Sequence, residues 1–359
     1  MCTLSQDQFF PTADLCNRFR FGCRHVHYVA RKQLVVKIYL CLCFGLKSAL
    51  PQQAPTIRVP VRLVSVPTLV VSKAGKYVSG LSVTDFTVTD NARRVEPNLD
   101  TVDLPVSVAI LFQMDADVRD YLPFIARTGT LLENSIAAAN GEIAVLSYND
   151  EITVEKPFES ADVSTACRKL SASGHQKRLL DASSRAVSML RERAGARSRV
   201  LILIGQPADS GSGLKAEQLA SQIEHENIQV FALSLPLMGK SFISDSFRLS
   251  GLGSQVYGGG YQASIELTRV VPALKRAAEA STGADVFSLL TVATGGIQIH
   301  FRKQSQLENA LIAIGEALRS RYFLSFTPDG SLGPHKLTVE VRLPGAIVYS
   351  RPGYQLLER

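Results

Sequence analysis

The sequence predicts an α/β fold with a doubly wound, mostly parallel sheet that has helices on both faces. A discontinuous β-domain is expected to flank this α/β domain. Three observations support this prediction. The centre of the chain alternates short apolar runs with segments of helical period. One run, at residues 200–204, is continuously apolar, as expected of a strand buried on both faces. Segments of period-two alternation lie near both ends of the chain and predict strands of another sheet.

Residues 1–50 predict a leader segment rather than part of a folded domain. They contain seven basic and two acidic residues, so they carry +5 of the net charge of +7. A basic flank, an apolar run at residues 34–46 and small residues after it are typical of a secretory signal peptide. A signal peptide begins at the terminus of the chain, whereas about thirty residues precede this run. We therefore expect translation to start near residues 34–36. The alternative is an N-terminal anchor, which would associate the protein with a membrane.

Cysteine and histidine usage agrees with this division. Five of the six cysteines precede residue 50, and only Cys167 follows. A mature chain with one cysteine forms no internal disulfide. The sequence Cys23-x-His25-x-His27 lies in the leader and lacks a second pair of ligands, so it does not favour a metal site.

The predicted β-domain combines residues 56–103 with residues 321–357. Residues 57–71 predict a strand that alternates in polarity up to residue 63, and Pro60 and Pro67 predict that it lies at an edge. Further strands are expected at residues 85–91, 336–343 and 346–349. Short strands need a partner sheet to bury a core, so we expect the two ends of the chain to pair.

Residues 104–320 form the predicted α/β domain. Its strands are expected at residues 106–112, 143–148, 152–158, 200–204, 230–235 and 297–301, and its helices near residues 120–139, 161–171, 179–193, 214–225, 266–281 and 305–318. In sheets of this kind, ligands bind at the carboxyl ends of the strands. We therefore expect the functional residues of this chain at that edge of the sheet.

Several motifs, in this order, resemble the von Willebrand factor A-related family of bacterial exported proteins, best known from acidobacteria. The motifs are Val78-Ser79-Gly80-Leu81 with Asp85-Phe86, Pro105 before residues 106–112, residues 141–150 (GEIAVLSYND), Leu179-Leu180-Asp181-Ala182, residues 319–328 (RSRYFLSFTP) and Ser350-Arg351-Pro352-Gly353-Tyr354. The resemblance covers residues 57–355. It implies an exported location, periplasmic or extracellular, and a von Willebrand factor A-like fold.

The resemblance also implies a metal-ion-dependent adhesion site. In that pattern, Asp-x-Ser-x-Ser, a later Thr and a later Asp hold Mg²⁺ and leave one position for a ligand carboxylate. This chain has different residues at all five positions, namely Gln113, Asp115, Asp117, Lys177 and Gln206. We expect these five residues to form a degenerate ligand-binding site without a resident cofactor. Two alternatives stay open: Asp115 and Asp117 bind Mg²⁺ in a rearranged way, or Lys177 pairs with one of them and replaces the metal.

Sequence signals for an enzyme are sparse. The chain has no Gly-x-Ser-x-Gly, no His-Glu-x-x-His and no phosphate loop, and the glycines at residues 251–260 are misplaced for a dinucleotide fingerprint. Cys167 has no matched base and is interpreted as a core residue. The residues after the leader carry only +2, which predicts no nucleic-acid face.

We therefore predict a non-enzymatic adhesion-type module that binds a protein or surface ligand. The alternative is a metal-assisted hydrolase that uses Asp115 and Asp117.

Overall fold

A computed structural model describes residues 63–100, 104–137, 141–158, 162–235 and 285–356. Contacts divide the chain into Met1–Pro60 and Val61–Arg359, and every described residue belongs to the second unit. The predicted leader with its Cys/His cluster, the helix at residues 266–281 and the glycines at residues 251–260 lie outside the described residues. None of the described helices has both the length and the apolar character that a membrane span requires.

The described residues contain fourteen strands and seven α-helices. The strands are β1 (Val64–Val71), β2 (Phe86–Asp90), β3 (Arg93–Val95), β4 (Asn98–Asp100), β5 (Val106–Gln113), β6 (Gly141–Tyr148), β7 (Ile152–Lys156), β8 (Ser198–Gly205), β9 (Gln229–Ser234), β10 (Gln298–His300), β11 (Tyr322–Phe326), β12 (Gly333–Val341), β13 (Ile347–Tyr349) and β14 (Gly353–Leu356). The helices are α1 (Leu122–Ile125), α2 (Gly129–Ala137), α3 (Val163–Lys169), α4 (Leu179–Arg191), α5 (Ala216–His225), α6 (Val286–Thr294) and α7 (Gln304–Arg319). Short 3-10 turns occur at Val83–Asp85 and Ala116–Tyr121.

A six-stranded sheet in the order β10-β9-β8-β5-β6-β7 forms the centre of the molecule. Every neighbouring pair is parallel except β6 and β7. These are the six strands predicted for the α/β domain, so the prediction of a mixed α/β fold with a mostly parallel sheet is confirmed. Strands β5 and β8 lie at its middle, where continuous apolar runs are expected because both faces are covered.

Helices pack against both faces of this sheet. Val108, Ile110 and Phe112 of β5 contact a core that includes apolar residues of α2, α3 and α7. Ala109 and Leu111, which alternate with them, contact a second core with residues of α4, α5 and α6. Successive side chains of a strand point to opposite faces, so one strand supplies both cores.

Two four-stranded antiparallel sheets accompany the central sheet, in the orders β13-β1-β11-β4 and β14-β12-β2-β3. Their strands come from both ends of the described chain and share one apolar core, which includes Val66, Val88, Leu324 and Val339. The predicted pairing of the two ends is therefore observed. The division into separate domains at residues 104 and 320 stays a prediction.

Residues 57–62 of the predicted edge strand lie outside the described residues, and for the part that is described the expectation of an edge is wrong. Strand β1 lies between β11 and β13 in its sheet. Pro67 is opposite Phe323 of β11, whereas β13 pairs only with residues 69–71 of β1. Proline lacks an N–H to donate, but β13 does not reach Pro67, so no ladder bond is lost on that side.

The predicted helix at residues 120–139 is interrupted. A 3-10 turn leads into the short α1, and α2 begins only at Gly129. A Cβ atom at Gly129 would lie 2.4 Å from the Cα of Ser164, so the chain passes the start of α3 at a distance that only glycine permits. Helix α6 was not predicted, because its short apolar run has no clear period.

Candidate functional site

The five predicted site residues meet at the carboxyl edge of the central sheet. Gln113 is the last residue of β5, and Asp115 and Asp117 follow it in the next loop. Gln206 directly follows β8, the neighbour of β5 in the sheet. Lys177 comes from the segment before α4, and its ammonium group lies within 3.3 Å of both carboxylates. The carboxyl ends of parallel strands share one edge, which explains this convergence.

The orientation of the Gln113 side chain follows from its hydrogen bonds. The backbone N–H of Gln206 donates to Gln113 Oε1 at 2.5 Å, so this position must be an acceptor. Gln113 Nε2 therefore faces the other way and donates to Asp115 Oδ1 at 2.9 Å and to Gln206 Oε1 at 3.2 Å. All three side chains are buried. The amide thus presents its nitrogen, not its oxygen, to Asp115.

Lys177 bridges the two carboxylates. Its Nζ lies 2.7 Å from Asp117 Oδ2 and 3.3 Å from Asp115 Oδ2. Asp115 is 1% exposed and its Oδ2 accepts no hydrogen bond, so the ammonium is its counter-charge among the described residues. Burial by itself lowers the pKa of Lys177, but the hydrogen bond to Asp117 and the attraction of both carboxylates outweigh it, and the pKa is raised. Pairing of Lys177 with an aspartate, one of the two alternatives from the sequence, is therefore observed.

The backbone of Lys177 is held by the loop after β8. Lys177 and Ser210 form an isolated antiparallel bridge with two N–H···O bonds of 2.9 Å. Ser210 Oγ also accepts from the Lys177 N–H at 3.0 Å. Backbone pairing leaves the chain little freedom at this position, so the ammonium is directed to the aspartates by the loop as well as by its own charge.

The loop after β6 supports the same segment from the other side. Asn149 Nδ2 donates to the carbonyl oxygen of Ser173 at 2.9 Å. Asp150 Oδ1 accepts from the backbone N–H groups of His175 and Gln176 at 3.0 and 2.7 Å. These bonds lower the pKa of Asp150, that from Gln176 most. Residues 173–177 are therefore held by two loops of the sheet edge.

Two residues that sequence reasoning missed lie beside the site. Tyr148, the last residue of β6, is fully buried, and its hydroxyl has no hydrogen-bond partner among the described residues. Burial raises the pKa of Tyr148 well above its ordinary value, and Asp115 and Asp209 raise it further. Asp209 Oδ1 caps α4 by accepting from the Leu180 N–H at 2.9 Å, and burial raises its pKa. Asp209 lies in the loop after β8, a position that would have flagged it in the sequence, whereas Tyr148 is still part of β6.

The arrangement does not fit Mg²⁺ as it stands. Octahedral Mg²⁺ requires a set of well-placed oxygen ligands. The groups that face Asp115 here are nitrogen donors, Gln113 Nε2 at 2.9 Å and Lys177 Nζ at 3.3 Å. Within the ranges that the structure describes, no group of three or more His, Cys, Asp or Glu side chains is placed to hold a metal. We derive no chemical step through a metal.

Cys167 belongs to α3, and its side chain lies in the core, away from this edge. It is 1% exposed and packs among apolar residues that include Val163 and Leu170. Burial raises the pKa of its thiol to about 12, which keeps it protonated at neutral pH. The interpretation of Cys167 as a core residue agrees with its position.

Comparisons with known proteins give loose similarities. An aerotolerance-related membrane protein from Bacteroides fragilis NCTC 9343 is 15% identical, with 60% of this chain and 98% of that chain covered and a TM-score of 0.38. BatB from Bacteroides thetaiotaomicron is 14% identical, with coverages of 60% and 97% and a TM-score of 0.36. A mutant of the PilB minor pilin from Streptococcus sanguinis is 8% identical, with coverages of 61% and 62% and a TM-score of 0.37. No protein-family profile and no curated protein sequence matches the chain.

Proposed function

We propose that this chain is an exported recognition module with a doubly wound, von Willebrand factor A-like fold. Its carboxyl-edge loops would bind a protein or surface ligand without performing chemistry. The observation that carries this proposal is the position of Lys177, whose ammonium bridges Asp115 and Asp117 while its backbone is paired with Ser210. Polar loops held on a rigid sheet are the usual place for such contacts.

The same ion pairs argue against the hydrolase alternative. A metal-assisted hydrolase would use Asp115 and Asp117 to hold a cation that activates water. Both carboxylates already contact the Lys177 ammonium, and Asp115 Oδ1 also accepts from Gln113 Nε2. A base that holds a counter-ion at 2.7 Å is poorly placed to take a proton from substrate. We therefore propose binding rather than turnover.

The experiment compares binding of purified wild-type and variant protein to surface fractions of the source cell. The test variant is Asp117→Asn with Lys177→Met, which removes the 2.7 Å ion pair and with it the counter-charge of the buried Asp115, so circular dichroism first checks that the variant is folded. The control is Glu142→Gln with Arg193→Met, which removes the 2.8 Å ion pair at the opposite end of β6. We expect binding to weaken about tenfold or more in the test variant, since losing about 1.4 kcal/mol has that effect. Equal binding of a folded test variant contradicts the proposal.

Export is tested separately by mass spectrometry of the mature N-terminus. A start near residue 50 supports export, and a start at Met1 contradicts it.

A panel of hydrolase substrates, assayed with Mg²⁺, Mn²⁺ and Ca²⁺, tests the enzymatic alternative. We expect that no turnover by the wild-type protein depends on Asp117 and Lys177. Turnover that the Asp117→Asn, Lys177→Met variant abolishes would support the hydrolase.

A further inference from the structure

We propose that Lys177 is a built-in cation of the sheet edge, and that its removal converts Asp115 and Asp117 into a site for a divalent cation. In the wild-type protein the ammonium would make this edge independent of metal. The proposal concerns the ion and not the partner, so it stands or falls separately from the proposed function.

The first step is the charge balance. Asp115 is 1% exposed, and its Oδ2 accepts no hydrogen bond among the described residues. A buried carboxylate is costly unless a counter-charge is close. The Lys177 ammonium lies 3.3 Å from that oxygen and 2.7 Å from Asp117 Oδ2. A neutral residue at position 177 would leave two carboxylates facing one small volume without a counter-ion.

The second step is the geometry around the ammonium. One nitrogen atom contacts an oxygen of each aspartate, so a single ion near that point reaches both with small shifts of the loop. Mg²⁺ is commonly bound by one or two carboxylates and keeps several waters, and Ca²⁺ accepts a still more flexible oxygen set. The loss of the lysine side chain provides space for those waters.

A third, independent observation is the unsatisfied hydroxyl of Tyr148. It is fully buried and has no hydrogen-bond partner among the described residues, although the charge of Asp115 acts on it. Buried polar groups without partners are rare and call for an explanation. This unpaired hydroxyl stands at the end of β6, the neighbour of β5, and the lysine side chain does not supply its missing partner.

The experiment measures thermal unfolding of the full chain in Mg²⁺, Mn²⁺ or Ca²⁺ against a chelator, at constant ionic strength. We expect no saturable shift for wild type or for Lys177→Arg, which keeps the charge. For Lys177→Ala we expect the melting temperature to rise about 2–3 °C at a cation concentration about ten times the dissociation constant. The double variant Lys177→Ala with Asp115→Asn should lose this rise, because one ligand is gone.

Calorimetric titration of the same proteins gives a readout that does not depend on stability. A saturable wild-type response equal to that of Lys177→Ala overturns the proposal, as does a folded Lys177→Ala protein that binds none of the three cations. If Lys177→Ala is unfolded in chelator, its refolding in a saturating divalent cation supports the proposal. Continued unfolding in all three cations overturns it.

Discussion

At the scale of single residues, Gly205 determines whether the sheet edge can form. It ends β8 with a backbone φ of +155°, an angle that L residues with a side chain rarely adopt. A Cβ atom there would lie 2.6 Å from both Cβ and Oε1 of Gln113. The missing side chain is therefore what allows Gln113 to lie against β8 and accept from the N–H of Gln206.

We predict that Gly205→Ala lowers the free energy of unfolding by about 1–3 kcal/mol, from backbone strain and overpacking. Urea denaturation followed by circular dichroism measures this. The matched control is Gly213→Ala, because a Cβ atom at Gly213 meets nothing within 4 Å. We expect the control to stay within about 0.5 kcal/mol of wild type. Equal losses in the two variants would show that the contact with Gln113 is unimportant.

At the scale of elements, a buried histidine joins three strands of one antiparallel sheet. His335 of β12 contacts Asp90 Oδ1 of β2 through Nδ1, and the carbonyl oxygen of Ser331 through Nε2, both at 2.8 Å. The hydroxyl of Tyr354 in β14 donates to Asp90 Oδ2 at 2.7 Å. Both ring nitrogens face acceptors, so the arrangement favours the doubly protonated imidazolium.

The pKa of His335 is raised, although burial by itself lowers it. The Ser331 carbonyl and the charges of Asp90 and Asp329 outweigh the burial. A raised pKa in the folded state stabilises the protein fully below the ordinary histidine value of 6.5. That stabilisation is lost as the pH rises through the raised pKa of the folded protein.

We predict that the stability difference between wild type and His335→Gln shrinks as the pH rises from about 6 to about 9. Glutamine does not titrate, so the variant removes the effect of His335 and retains the other titrating groups. Urea unfolding at a series of pH values gives the difference. A difference that stays constant across this range would mean that the pKa of His335 is the same in the folded and the unfolded protein.

At the scale of the whole molecule, the antiparallel sheets and the central sheet pack as one compact unit. Leu69 of β1 is fully buried in the core that covers one face of the central sheet. Arg321, directly before β11, donates to Gln229 Oε1 of β9 at 3.0 Å. Helix α7 is followed at once by β11, so the chain passes from one part to the other without a linker.

We predict that Leu69→Ala lowers the stability of both parts together, by about 2–5 kcal/mol, because it leaves a cavity in their shared core. Hydrogen exchange measured by mass spectrometry would follow the amides of β8 and β12. We expect their global opening energies to fall by the same amount. A fall confined to β12 would show that the antiparallel sheets unfold independently, as separate domains would.

The strands of the central sheet were all predicted from the sequence, whereas the residues of the candidate site were predicted only in part. All six strands of the sheet were predicted, because apolar runs bounded by turns depend on local composition. The five site residues were taken from the adhesion-site positions that the family resemblance implies, and they do converge. Tyr148 was missed because it reads as an ordinary strand residue. Its importance lies in a hydroxyl that has no partner, which only three-dimensional packing shows.

The sequence by itself determined which residues stand at the ends of the strands, since strand period and apolar runs are local properties of the chain. Only the tertiary structure decided what those residues do to one another. Lys177 reaches Asp115 and Asp117 from about sixty positions away because Ser210 pairs with its backbone. Whether an aspartate faces a metal, water or an ammonium depends on such long-range packing, because electrostatic energies change steeply over a few ångströms in a buried site.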